Sequence, residues 1–233
     1  MTLTVCLKGV DGLVLASDSR GTFGDPRDVT AQNDTITKLY LIRNVGFLTA
    51  GSQNGNMVLK ELKEVADKEK IEGVTTIMEK LREISRRQFG TWFPAFPFMP
   101  TPGQNPSFMR PTLHFIIGGY DDAKTPLIYS MVSNLDFSPN LHDFGYALGG
   151  VAQYALYLLN RLYSPTMNVE CLVPLAAYVV TETATQDGKV GGPVQLGVTK
   201  HREAYLLKRE DIDKIVSENE ERSANLRKLF VAR

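Results

Sequence analysis

The opening segment constrains the fold more than any other part of the chain, because it predicts a strand pair that begins at the second residue. Residues 3–8 and 13–17 are rich in β-forming side chains, and the dipeptide Asp11-Gly12 lies between them. An Asp-Gly turn between two such runs favours a tight hairpin. The second strand should therefore run antiparallel to the first, which brings its end at Asp18 back beside Thr2.

Thr2, Asp18 and Lys38 form a chemically complete set if the fold brings them together. A threonine hydroxyl needs a base at neutral pH, and an N-terminal threonine carries one, an α-amino group with a reference pKa of about 7.7–8.0. A nearby lysine ammonium disfavours protonation of that amine, and a carboxylate holds the lysine in place. This chemistry requires removal of Met1, which the small side chain at position two should permit. Taken alone, these are an ordinary second residue, a turn aspartate and a solvated lysine.

Gly51 closes the segment TAGS at 49–52, where a predicted strand ends directly before a helical segment. A glycine at such a turn can present its backbone N–H to an oxyanion. By itself Gly51 is an ordinary turn glycine. Near Thr2 it becomes a candidate for stabilising charge on a reacting carbonyl oxygen.

Groups of strands alternate with pairs of helices along the chain. Apolar residues at helical spacing predict helices at 54–69, at 149–162 and at 168–185, and a capping box at Thr76 and Glu79 predicts the start of another. Strand-like runs precede, separate and follow the two pairs. Antiparallel sheets with paired helices indicate an α+β fold, a four-layer α-β-β-α sandwich.

In this order and spacing, these features resemble a β-type subunit of the proteasome, a member of the N-terminal-nucleophile (Ntn) hydrolases. The resemblance covers most of residues 2–209 and implies the same four-layer sandwich. The strand at the N-terminus fits β-type and not α-type subunits. The matching motifs are Thr2, DGLVLASDSRGT at 11–22, KLY at 38–40, TAGS at 49–52, IGGYD at 117–121 and TETAT at 181–185.

The resemblance implies a threonine peptidase that hydrolyses polypeptides without a cofactor or metal. In that case Thr2 would be the nucleophile with its own amine as base, Lys38 would tune that amine, and Asp18 would orient the lysine. Gly51 would stabilise the oxyanion, and Glu182 and Thr185 would be supports near the amine. The substrate cleft would be lined by Gly21, Thr22, Ile36, Thr49 and Ala50.

Family members of this kind assemble into rings, so the resemblance also implies homo-oligomeric rings, with α-type subunits or an ATPase regulator as candidate partners. Two segments look like additions to the family pattern. The polar segment 24–33 is interpreted as a slightly long loop that borders the cleft. The segment 90–111 contains six prolines and many aromatic residues, which favours either a contact between subunits or a loop folded over its own domain.

Two positions depart from the family pattern. Gly149-Gly150 replaces a common serine, so that water would have to stand in for its hydroxyl, and Glu182 replaces the usual aspartate. Two alternatives to a peptidase therefore remain open. The chain could be a catalytically inactive structural ring subunit that keeps Met1, or a related amide hydrolase or transpeptidase with one specific substrate.

Composition excludes several other classes of function. The 233 residues carry a formal net charge of zero, which gives no basis for binding nucleic acid or an anionic membrane. No apolar run is long enough for a membrane span, no signal peptide is evident, and Cys6 and Cys171 are expected to be buried thiols, so we expect a cytoplasmic protein. The three histidines show no metal-binding spacing. We expect one domain at 1–210 and a charged helical tail at 211–233.

Overall fold

The computed structural model describes residues 2–24, 30–94, 111–121 and 125–231. The strands are β1 (Leu3–Lys8), β2 (Leu13–Ser17), β3 (Gly21–Gly24), β4 (Thr30–Asn33), β5 (Leu39–Ile42), β6 (Val45–Gly51), β7 (Leu113–Tyr120), β8 (Pro126–Val132), β9 (Asn140–Leu141), β10 (Tyr146–Gly150), β11 (Gln195–Lys200) and β12 (Glu203–Leu206). The helices are α1 (Gly55–Glu69), α2 (Val74–Trp92), α3 (Gln153–Leu162), α4 (Val169–Gln186) and α5 (Arg209–Val231), with a 3-10 turn at Ser133–Leu135.

The first antiparallel sheet has the strand order β10-β1-β2-β11-β12. Its centre is the predicted hairpin, in which Thr4 pairs with Ser17 and Lys8 pairs with Leu13. The backbone N–H of Asp18 donates to the carbonyl of Leu3, which places Asp18 next to the start of β1. The hairpin prediction from the Asp-Gly turn is therefore confirmed.

The second antiparallel sheet has the order β5-β6-β7-β8-β9. Apolar side chains between the two sheets, including Leu15, Leu48 and Ile116, form one cluster. A second cluster joins the outer face of the first sheet to α3, α4 and α5, and a third joins the second sheet to α1 and α2. The layers are thus helices, sheet, sheet and helices, which confirms the predicted four-layer sandwich.

Three local predictions were wrong, because distant residues decide each local structure. The segment 24–33 was expected to be a loop, but β3 and β4 pair as a short hairpin, with Gly21 opposite Asn33. The helix α2 begins at Val74, where Asp121 at the end of β7 accepts from the Thr75 N–H, and no capping box at Thr76 starts it. The third helix was expected from residue 149, but β10 continues to Gly150 and α3 begins at Gln153.

Several other expectations concern burial or lie outside the described part of the chain. Cys6 is buried as expected, whereas Cys171 is exposed on the first turn of α4, so the expectation for that thiol was wrong. Most of the proline-rich segment, residues 95–110, and Met1 lie outside the described residues. Where the segment begins, Trp92 and Phe93 pack against the buried Phe89. Across the described ranges, no helix combines the length and the apolar character needed to span a membrane.

Candidate active site

A buried ion pair lies at the open end of the β1–β2 hairpin. The Lys38 ammonium, placed just before β5, lies 2.7 Å from the Asp18 carboxylate, and the side chains are 4% and 0% exposed respectively. The same ammonium donates to the backbone carbonyl of Arg20 at 2.6 Å. Removing two charges from water is favourable only when their remaining hydrogen-bonding groups are satisfied.

The Asp18 carboxylate meets this condition on both of its oxygens. Oδ1 accepts from the Lys38 ammonium and from the Leu3 N–H at 3.0 Å. Oδ2 accepts from the Arg20 N–H at 3.2 Å and from the Gly191 N–H at 3.1 Å. Asp18 therefore fixes Lys38 and also ties together the start of β1, the end of β2 and the loop that precedes β11.

The electrostatic state of Lys38 follows from its burial. Loss of solvent lowers the pKa of the Lys38 ammonium below its usual value, and the adjacent Asp18 carboxylate opposes that shift. A lysine in this position gives up its proton more readily than a solvated one, while it keeps a fixed partner. Such a group can stabilise negative charge and can take part in proton transfer.

Thr2 lies 6% exposed at the start of the first sheet and lines a cavity of about 350 Å³ between the two sheets. The structure brings most of the predicted site residues to this one cavity. Its lining includes Thr2, Gly21, Thr22, Ile36, Lys38, Thr49, Ala50 and Gly51. Residues that sequence reasoning did not assign to the cleft also line it, namely Thr37, Ser52, Gln53 and Asn56.

Gly51 occupies a position that no other residue could take without rearrangement. Its φ is +91°, and an added Cβ would lie 2.2 Å from the carbonyl oxygen of Thr112. The N–H of Ser52 donates to that same carbonyl at 2.8 Å, which fixes the backbone as it leaves β6 toward α1. Gly51 thus holds a turned, rigid backbone at the wall of the Thr2 cavity.

The structure also shows why a serine is absent at the Gly149-Gly150 position. Gly150 has a φ of +79°, and an added Cβ would lie 1.7 Å from the carbonyl oxygen of Thr2. That carbonyl accepts from the Val151 N–H at 2.8 Å, so the backbone here clamps the first strand directly. A side chain at residue 150 would displace Thr2.

Arg20 and Asp34 form a second ion pair that the sequence analysis did not assign. The guanidinium makes two parallel hydrogen bonds to the Asp34 carboxylate, both at 2.8 Å, and donates to the Gly188 carbonyl at 3.0 Å. An added Cβ on Gly191 would lie 2.6 Å from the guanidinium carbon, so the glycine is needed for this approach. The signal available in the sequence was the arginine two residues after Asp18, together with the double glycine at 191–192.

The structure does not bring Glu182 and Thr185 to the Thr2 cavity. They line a separate cavity of about 440 Å³ between α4, α5 and the loop at 191–192. Glu182 Oε1 lies 3.5 Å from the Ser223 hydroxyl, and the Thr185 hydroxyl donates to the Glu182 backbone carbonyl at 2.7 Å. Their connection to the Thr2 site runs through Gly191 and Gly192, which line the same second cavity.

His114 lies on β7 opposite Ala50, next to the Thr2 cavity. Within the described ranges its Nε2 is buried with no hydrogen-bond partner, and burial lowers the pKa of the imidazole to about 4, with a smaller contribution from His142. The side chain is therefore neutral at physiological pH. Among the described residues, no three His, Cys, Asp or Glu side chains are grouped so that they could hold a metal ion.

Comparisons with known proteins place this geometry in context. No protein-family profile matches the chain. The proteasome subunit beta 2 of Sulfolobus acidocaldarius is 27% identical over 215 residues, which span 89% of this chain and 95% of that protein. This likeness over nearly the whole length confirms the resemblance to proteasome β-type subunits that the motifs indicated.

Solved structures of Anbu proteins share the fold. Anbu from Yersinia bercovieri, described as an ancestral β-subunit, superposes with a TM-score of 0.70 at 17% identity and covers 99% of this chain and 97% of its own. The Anbu complex from Pseudomonas aeruginosa, solved as a helical assembly, gives a TM-score of 0.70 at 21% identity with coverages of 99% and 96%. The chain therefore has the Ntn-type fold of proteasome β-type subunits.

Proposed function

We propose that this chain is a threonine peptidase of the proteasome type, which hydrolyses peptide bonds with Thr2 as nucleophile after removal of Met1. One observation carries the proposal: a buried Asp18–Lys38 ion pair, in which each carboxylate oxygen accepts two hydrogen bonds, lies at the cavity that Thr2 lines. Removing an ion pair from water has a desolvation cost, and ionisable groups that are perturbed by burial beside a cavity are candidates for functional sites. The likeness to proteasome β subunits over most of the chain supports a hydrolase.

The chemistry begins with attack of Thr2 Oγ on the scissile carbonyl carbon. The free α-amino group of Thr2 takes the hydroxyl proton, directly or through a water, and later delivers a proton to the leaving amine. Lys38 disfavours protonation of that amine before attack and stabilises negative charge afterwards. The Gly51 N–H donates to the oxyanion. Water then hydrolyses the ester on Thr2 and releases the second product.

The geometry of the cavity suits an extended polypeptide. Gly21 and Thr22 are the first residues of β3 and lie on the wall of the cavity beside Thr2. A substrate strand laid along this edge would make main-chain hydrogen bonds of the β-addition type. Ile36, Thr49 and Ala50 then contact the substrate side chain next to the scissile bond. Glu182 and Thr185 line the separate cavity at the Gly191–Gly192 backbone and contribute little to the reaction.

The proposal extends to assembly, because self-compartmentalisation supplies selectivity that an open cavity does not. The similar chains are proteasome subunits, and one of the Anbu structures is a helical assembly. We therefore propose a homo-oligomer whose Thr2 cavities face an enclosed space in the cytoplasm. Specificity would then come mainly from access to that space, with α-type subunits or an ATPase regulator as candidate gatekeepers.

The test combines intact mass with peptide hydrolysis by the purified full chain. We expect a mass that lacks Met1, cleavage of unstructured fluorogenic peptides, and loss of cleavage to background in Thr2→Ala. The matched variant Thr2→Ser keeps an N-terminal amine and a hydroxyl, so it should retain part of the activity. Full retention of Met1 in protein from its native cell would instead establish the inactive structural subunit. Undiminished cleavage by Thr2→Ala would place the nucleophile elsewhere.

A further inference from the structure

Two walls of the Thr2 cavity belong to different sheets, so side chains between the sheets have to hold them at the right distance. Thr2 directly precedes β1 of the first sheet, whereas Gly51 ends β6 of the second sheet, and both residues line the cavity. In the proposed reaction, the Thr2 hydroxyl attacks a carbonyl whose oxygen is bound at Gly51. A misplacement of about 1 Å in such a geometry can reduce the rate about a hundredfold. The residue that spaces the sheets beside the cavity therefore affects catalysis.

His114 lies at this place in the second sheet. It is on β7 and pairs with Ala50 of β6, which itself lines the Thr2 cavity. Side chains on one face of a strand are two residues apart, and Ile116 belongs to the apolar cluster between the two sheets. The His114 side chain therefore points from β7 into the space between the sheets.

Gly149 on β10 faces the imidazole from the first sheet. A Cβ added at Gly149 would lie 2.8 Å from Nδ1 of His114 and 2.5 Å from the hydroxyl oxygen of Thr4. Real Cβ atoms essentially never make contacts as short as these. The His114 ring thus occupies the space that a side chain at residue 149 would need, so the large residue of one sheet packs against the smallest residue of the other.

This contact adjoins the backbone that holds Thr2. Gly149 pairs with Thr4, which is two residues from Thr2 and on the same face of the chain, a separation of about 7 Å. The residues after Gly149 fix Thr2 directly, because Gly150 turns with a φ of +79° and the Val151 N–H donates to the Thr2 carbonyl at 2.8 Å. A shift of Gly149 would therefore move Thr2.

The environment of the His114 ring is uncharged on the neighbouring strands. The adjacent residues on β6, β8 and β10 are Ala50, Val132 and Gly149, and the titratable group that affects the ring is His142. Among the described residues, the buried Nε2 of His114 has no hydrogen-bond partner. A buried polar atom of this kind lowers stability and calls for an explanation other than packing.

We propose that His114 is a positioning residue of the peptidase, whose ring, seated on Gly149, sets the distance between Thr2 and Gly51 across the cavity. The inference rests on the proposed function, because it assigns His114 an effect on the attack by Thr2. Among the residues that the structure describes, His114 does not line the cavity itself, so it acts through Gly149 and Ala50. A change at His114 should therefore alter kcat more than KM.

Steady-state hydrolysis of fluorogenic peptides by the full-length protein tests this role, at temperatures where thermal unfolding shows each variant to be folded. His114→Ala removes the ring and should reduce kcat about tenfold or more, with KM within about threefold of wild type. His114→Phe carries a larger ring and should also reduce kcat, because overpacking displaces the neighbouring backbone. His114→Gln has nearly the length of histidine and should keep most of the wild-type kcat.

These variants separate spacing from other roles of His114. A residue that only stabilises the fold would leave kcat unchanged in folded molecules, so a wild-type kcat in His114→Ala or His114→Phe would overturn the proposal. A His114→Gln variant as slow as His114→Ala would overturn it as well, because the imidazole chemistry would then matter more than the spacing. A wild-type chain that cleaves no peptide would instead overturn the proposed function, and the role of His114 with it.

A double-mutant cycle tests the contact between the ring and residue 149. In wild type, Gly149→Ala forces a methyl group against His114 and Thr4, so kcat should fall. In the His114→Ala background the methyl group gains space, so the same substitution should reduce kcat by a smaller factor. Equal factors in the two backgrounds would exclude the contact as the cause. The matched control is Gly90→Ala, which should leave kcat unchanged because its added Cβ would meet nothing within 4 Å.

Discussion

Two polar clusters lie on opposite sides of the Gly191–Gly192 backbone, and they are built in contrasting ways. On one side, which we call the Asp18 cluster, the Asp18 and Lys38 side chains are buried, and both carboxylate oxygens accept two hydrogen bonds. On the other side, the Glu182 cluster, Glu182 is half-buried and Thr185 is exposed, and the carboxylate lies 3.5 Å from the Ser223 hydroxyl. Both clusters adjoin the Gly191–Gly192 backbone, but the charged side chains of the Asp18 cluster are buried and the Glu182 cluster is partly exposed to solvent.

The difference indicates where stability and activity depend most on a charged group. In a buried cluster, removing one partner strands the other in a poor solvent, so both structure and chemistry depend on each contact. In a half-exposed cluster, water replaces what a substitution removes. The resemblance to the family assigned roles in both clusters, but only the Asp18 cluster lines or contacts the cavity that contains Thr2.

The largest effect is expected for Asp18→Asn. The amide cannot balance the buried Lys38 charge and cannot accept on both sides, so the free energy of unfolding should fall by about 3–5 kcal/mol. Peptide hydrolysis should be lost at the same time, because Lys38 is no longer fixed beside Thr2. Urea unfolding followed by circular dichroism measures the first effect, and fluorogenic peptides measure the second.

Lys38→Met is the matched variant for this prediction. It leaves the Asp18 carboxylate with three backbone N–H donors, from Leu3, Arg20 and Gly191. The stability loss should therefore be smaller than for Asp18→Asn, whereas activity should be lost equally. Equal destabilisation by the two variants would show that the backbone donors do not support the carboxylate, and the contrast between the clusters would weaken.

His114 is a further buried polar group outside the two clusters, and among the described residues its Nε2 has no hydrogen-bond partner. It therefore tests separately how strongly burial affects a titratable group. Its pKa of about 4 lies below the ordinary 6.5, so between these values the unfolded chain binds a proton that the folded chain does not. Stability should therefore be complete above about pH 6.5 and should fall as the pH drops toward 4, by on the order of 3 kcal/mol. Urea unfolding across this range should show a flatter pH dependence for His114→Gln. An unchanged slope would mean that His114 is solvated.

An intermediate effect is expected for Arg20→Lys. The ammonium keeps the charge but loses the two parallel bonds to Asp34 and the bond to Gly188. The pair is largely exposed, so the free energy of unfolding should fall only slightly. Because the Arg20 carbonyl accepts from Lys38, kcat/KM should fall by about tenfold, or about 1.4 kcal/mol of transition-state stabilisation. An unchanged kcat/KM would show that Arg20 does not help to position Lys38.

The parts of the site that the sequence predicted are those set by local rules or by strong chemistry. The Asp11-Gly12 turn determines the β1–β2 hairpin, and the hairpin alone brings Asp18 to Thr2. The contact between Lys38 and Asp18 follows from opposite charges that both leave water. The predicted sandwich follows equally from the order of strands and paired helices.

The parts that the sequence did not predict depend on long-range contacts. The Gly191 N–H reaches Asp18 from 173 residues away, and Asp121 caps α2 at Thr75 from 46 residues away. The sequence did not predict the β3–β4 hairpin, because apolar and polar residues do not alternate along its two short strands. The sequence did not predict which cavity Glu182 lines, because a motif fixes the order of residues along α4 but not the direction in which each side chain points.

The smallest effect is expected for Glu182→Gln, and it is the most direct test of the contrast between the clusters. The amide has nearly the same shape, and Ser223 can still donate to its oxygen, so the free energy of unfolding should change by no more than about 0.5 kcal/mol. Hydrolysis should stay within about twofold of wild type, which corresponds to less than 0.5 kcal/mol in the barrier. A loss of tenfold or more with an intact fold would give Glu182 the supporting role that the family resemblance implies. In that case the Gly191–Gly192 wall would transmit the charge of one cluster to the other, and the two sides would have to be treated as a single site.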